Sequence, residues 1–201
     1  MPARRDALRE ARRVPLIAAF VRRRGQRDHV YVTRADGSEC DWAFPSYGDH
    51  LPHDLCHLVI EDCLQIVKGF WGLVEQGMEV VLVDNHVTLI SNGRPLSAQP
   101  NVDLADLRQA EEAVALLGPT AMQFDQAGAI AVARLAEADR ETRLAPGIRS
   151  ALGSALGFTL PSGVSEKDIV AAQTQLHDLA GRWRELADGE AITCTFTRSK
   201  S

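Results

Sequence analysis

The chain has 201 residues, is 45% hydrophobic and 24% charged, and carries a formal net charge of −5. Such a composition supports a buried core and excludes a low-complexity disordered tract, and no apolar run reaches the roughly 20 residues that span a bilayer. Cys40, Cys56, Cys63 and Cys194 form no CxxC pair and no disulfide framework, which predicts a reduced, cytoplasmic protein.

The charge is unevenly placed. Residues 1–27 hold nine arginines against Asp6 and Glu10, a net of +7, and the rest carries −12, the difference between −5 and +7. A basic arm on an acidic body is a pattern of contact with nucleic acid or membranes. No helix-turn-helix, zinc-finger or RNA-binding signature follows, and the acidic body repels a polyanion. Nucleic acid is therefore not the expected partner. Residues 1–13 read as a flexible basic arm and residues 14–201 as a single globular domain.

In chain order, Pro15 to Val21 reads as a strand. A turn at Gly25–Asp28 leads to an alternating strand over His29 to Arg34, and Ala35–Ser38 turns into a third strand, Glu39 to Phe44. Trp42 and Phe44 read as core residues, and Tyr47 lies in the loop that follows. Pro52 suits the first turn of a helix, Asp54 complements its dipole, and the pattern runs to about Lys68. Phe70 to Val74 predicts a short helical continuation. Met78–Val83 and His86–Ile90 are β-branched runs that predict a hairpin turning at Asp84-Asn85. Helices follow over Asp103–Leu117 and Ala121–Ala138, then a glycine-rich connection over 144–164. Ser165-Glu166-Lys167-Asp168 resembles a capping box and opens a helix to about Ala187. Ala191 to Thr197 alternates as a terminal strand. The sum is an α+β fold: a small antiparallel sheet, made from the N-terminal meander and the C-terminal strand, packed against three to four helices.

Chemistry concentrates at residues 50–57, which hold three of the six histidines: His50, His53 and His57. On a helix, His53 and His57 lie one turn apart on one face and can bind one metal ion. With His53 at zero, a wheel puts His57 at about 40° and Glu61 at about 80°, on the border of an apolar face. Both histidines are thus expected to be partly buried. Glu61 lies roughly 12 Å along the axis from His53, which makes His50 the better local third ligand, and His50 or Glu61 is expected to complete the metal's donor set. His86, Asp84 and His177 are distant alternatives. Asp54 is placed to orient a ligand or a bound water.

The run His53-Asp54-Leu55-Cys56-His57 is an HDxxH that resembles, over five residues, the HExxH helix of zinc peptidases, in which the intervening Glu is a general base. The resemblance implies that role for Asp54, which is one methylene shorter. HDxxH is also similar to the zinc motif of a ubiquinone-biosynthesis family, in which a Glu follows twelve positions after the second His. Here that position is Gly69.

These residues predict a divalent-metal protein, zinc ahead of iron, with hydrolase-like chemistry on a small-molecule substrate. The alternative is a non-catalytic interaction protein, a homo-oligomer, whose histidines are structural.

Overall fold

The computed structural model describes residues 14–44, 48–84, 86–100, 102–118 and 164–197. Expectations for the arm at 1–13, for Tyr47, for the helix at 121–138 and for nearly all of the 144–164 connection fall outside these residues. The described elements are β1 (Leu16–Val21), β2 (Asp28–Thr33), β3 (Glu39–Phe44), α1 (His53–Leu64), α2 (Phe70–Glu75), β4 (Glu79–Val83), β5 (His86–Ser91), β6 (Arg94–Pro95), a 3-10 turn (Leu96–Ala98), α3 (Ala105–Leu117), α4 (Glu166–Glu185) and β7 (Ala191–Phe196).

The fold is α+β. The meander and the terminal strand form one antiparallel sheet in the order β3-β2-β1-β7. Its register sets Phe20 between Val30 and Ile192, and Ala18 between Val32 and Cys194. Because side chains alternate along a strand, one face collects Leu16, Ala18, Phe20, Val30, Val32, Trp42, Phe44, Ile192 and Phe196, all buried. The β2–β3 turn requires a left-handed residue, and Gly37 supplies it at φ 84°.

A second antiparallel sheet has the order β4-β5-β6. The β4–β5 hairpin follows from the β-branched runs. Strand β6 has two residues and is too short to leave a periodic signal.

Helix α1 is the centre of the molecule. It packs on α2, α3, α4 and β7. Nine of its twelve residues are buried, so it is covered on more than one stripe. This corrects the expectation that both histidines sit half-buried on a border: His57 is 2% exposed, because α3 closes over that side. The helix also ends earlier than Lys68. Gln65 turns left-handed at φ 58°, and the Ile66 N–H bonds back to the Glu61 carbonyl at 2.9 Å. Helix α2 is therefore a separate element and not a continuation.

Two buried arginines tie the layers together. Arg34 donates to the carbonyl of Val74 at 2.6 Å and of Met78 at 3.2 Å, so a cation closes the C-terminal end of α2. Arg22 donates to the carbonyls of Trp183 at 2.5 Å and Arg184 at 3.1 Å, lies over the Trp183 ring and pairs with Asp49. At the other end of α4, Asp168 accepts from the Ser165 N–H at 2.7 Å, as the capping sequence predicts. The buried stripe of α4 is Ile169, Ala172, Leu176, Leu179 and Trp183, at helical spacing. Among the described residues, no helix is long and apolar enough to cross a membrane.

Candidate metal centre

Helix α1 presents His53 and His57 one turn apart, with ring centroids 4.7 Å from each other. Helix α3 brings Glu111 to the same point. Its Oε2 lies 3.3 Å from Nε2 of His57 and 3.9 Å from Nε2 of His53. One ligand atom from each of the three residues lies within 4.8 Å of the others, and among the described residues this is the one group of three or more such donors. A zinc ion bound at roughly 2.0–2.1 Å to tetrahedral donors separates them by roughly 3.3–3.4 Å. The His57–Glu111 pair already has that spacing. The His53–Glu111 pair needs to close by about half an ångström, which a His53 side chain at 49% exposure can do.

Glu111 is the candidate donor that sequence reasoning missed. It borders the stripe of α3 formed by Ala110, Ala113, Val114 and Leu117, all buried. A glutamate beside an apolar stripe reads as solvated surface. Nothing local says that the stripe packs on α1 and swings this carboxylate over the histidines.

The other sequence candidates lie elsewhere. Glu61 is fully buried on the far side of His57, with Oε1 3.1 Å from Nδ1. The same carboxylate accepts the N–H of Phe70 at 2.8 Å and of Trp71 at 2.9 Å, the first two amides of α2. Glu61 thus stands behind His57 and not beside His53. His50 is exposed in the loop before α1 and falls outside the cluster, as do the exposed Asp84, His86 and His177.

Asp54 is buried in the first turn of α1 and accepts from Nε1 of Trp42 at 3.0 Å. Its backbone carbonyl accepts from Nε1 of Trp71 at 2.7 Å, so two indoles clamp the turn that carries His53. Trp42, Phe70 and Trp71 pack edge-on or tilted with centroids 5.5–5.8 Å apart, and Phe70 lies 6.2 Å from the His57 ring. The cluster therefore has a dry aromatic floor and an open rim, at His53 and at Glu111, which is 56% exposed.

The electrostatics follow from this asymmetry. Burial penalises a charged His57, but hydrogen bonds to Glu111 and Glu61 outweigh it and push the ring up to about 9. The hydrogen bond to His57 holds the Glu111 carboxyl below its usual range. Burial pushes the Glu61 carboxyl up, against His57 and the two amides that favour its anion. Burial, and then the charge of His57, push the His53 ring down. Burial raises Asp54 against the Trp42 hydrogen bond, and Asp54 also feels the charges of His53, His57 and Glu111.

Two imidazoles and one carboxylate with a solvent-facing side form the donor set of open zinc sites and of non-haem iron sites. Against known proteins, the chain matches no family model, no curated protein and no solved structure.

Proposed function

We propose that this protein binds a divalent metal ion, zinc ahead of iron, through His53, His57 and Glu111, and that the ion serves hydrolytic chemistry on a small-molecule substrate. The carrying observation is convergence: three donors from two helices meet within 4.8 Å of one another at the edge of the core. A closed structural site surrounds its ion with four protein ligands, whereas three ligands and an exposed rim leave a position for water or substrate. An ion there would supply a Lewis acid that activates water and polarises a carbonyl. Asp54 is the buried carboxyl next to the first ligand in sequence, held in orientation by Trp42, and it would be the residue to orient a ligand or a bound water. Four free cysteines support the cytoplasm as the site of action.

One observation favours a second reading. Both ring nitrogens of His57 already face a carboxylate, so the cluster also serves as a buried ion-pair network in a non-catalytic interaction protein. Elemental analysis after gentle purification separates the two. The metal reading expects near-stoichiometric zinc or iron, lost in the His53→Ala, His57→Ala double variant. Metal-free wild type that is equally stable with and without chelator leaves the ion-pair network.

A further inference from the structure

We infer, on the metal reading above, that Glu61 is a positioning residue that fixes which nitrogen of His57 meets the metal, and that Gly69 is the residue that lets it do so. Oε1 of Glu61 faces Nδ1 of His57 at 3.1 Å and accepts the Phe70 N–H at 2.8 Å, and Oε2 accepts the Trp71 N–H at 2.9 Å. As a carboxylate, Glu61 only accepts, so His57 must present a proton at Nδ1. In the neutral ring that a metal ion requires, the lone pair is then on Nε2, which points to Glu111. A histidine ligand whose second nitrogen donates to a carboxylate has its tautomer and ring orientation fixed, and its basicity raised.

The carboxylate reaches this seat because residue 69 has no side chain. Gly69 has an ordinary backbone, φ −70°, so conformational freedom is not the reason for glycine. A Cβ there would lie 2.5 and 2.8 Å from Oε2 and Oε1 of Glu61, and real Cβ atoms essentially never come within 3.0 Å. Close approach is the reason. The two amides then lock the carboxylate from behind. A chain of contact runs from Gly69 through Glu61 to His57, though neither Gly69 nor Glu61 touches the metal.

The test measures zinc affinity by competition with a chromogenic chelator, using the full chain as wild type, Glu61→Gln, Gly69→Ala and the double variant. Thermal unfolding is followed in parallel, and the ring nitrogens of His57 are read by 15N NMR in zinc-loaded wild type. The expected result is a loss of roughly 10–100-fold in affinity for each single variant, the usual effect of losing an outer partner. The double variant should lose no more than the worse single, because Gly69 acts through Glu61. The NMR should find the proton on Nδ1 and zinc on Nε2. Single variants that bind as tightly as a zinc-binding wild type overturn the positioning role alone, as does zinc on Nδ1. A double variant that loses the product of the two singles overturns the Gly69 step. Wild type that binds no zinc overturns the metal reading, and the positioning role with it. If a variant fails to fold, the ring signals of the wild type decide.

Discussion

His57 has a carboxylate at each ring nitrogen, and the two carboxylates sit in opposite surroundings. On the inner side, Glu61 is fully buried and saturated by three donors, among them the first amides of a short helix. On the outer side, Glu111 is 56% exposed and touches only the histidines of α1 among the contacts described. A buried ion pair has lost its hydration and depends on complete hydrogen bonding, whereas an exposed one is screened and is worth little. The inner carboxylate is thus suited to holding structure and the outer one to exchanging partners. The difference teaches that the same residue type on the same ring is locked into the fold on one side and left free to exchange partners on the other.

The comparison breaks most visibly at Glu61. Glu61→Ala leaves a buried imidazole and two amides unpaired and should cost about 3–5 kcal/mol of stability, read by urea or thermal unfolding. Glu111→Ala in the same assay should cost less than Glu61→Ala, because water can reach the place of the half-exposed outer carboxylate. Equal losses would dissolve the distinction between the two sides.

The next effect is on pH. In chelator-treated protein the His57 ring rises from its ordinary 6.5 to about 9. A group raised on folding stabilises fully below its unfolded value, and that contribution is lost as pH rises through the folded value. The free energy of unfolding should therefore fall between pH 6.5 and 9, by an amount on the order of 3 kcal/mol for a buried group. His57→Gln should flatten this window. A slope that survives the substitution means that other groups carry it.

Metal affinity gives the complementary reading. Glu111→Gln keeps the shape of the outer residue but removes a ligand charge, so zinc binding should weaken by more than the roughly 100-fold upper end seen for outer partners. Its unfolding curve should stay close to wild type. Tight binding by this variant would remove Glu111 from the ligand set.

The smallest effect is of salt. Raising ionic strength to 1 M shortens the screening length to about 3 Å, and should weaken only the outer pair. His53→Ala in metal-free protein should then change stability by less than about 0.5 kcal/mol at any salt concentration. A larger change, measured by denaturation at low and high salt, would show that His53 is part of the buried network.

Much of the architecture was legible because it is local. Alternation in His29–Arg34 and Ala191–Phe196 sets which side chains face inward, since period two admits one register face. The capping sequence at Ser165 and Asp168 carries its own hydrogen bond. The i, i+4 spacing of His53 and His57 is a property of the helix itself, and the structure brings the two rings together.

Other features were hidden for stated reasons. Gly69 carries no local signal of its role, since its small size matters because of Glu61, eight positions earlier and one helix away. The end of α1 at Leu64 depended on Gln65 turning left-handed, which a glutamine does not advertise. Burial of His57 and the arrival of Glu111 both required α3 to pack on α1. Sequence periodicity determined which face of each helix is apolar, and that two histidines share one turn. Only the tertiary packing decided which carboxylate met which nitrogen, because a contact 54 residues apart depends on where the chain returns and leaves no local pattern at either end.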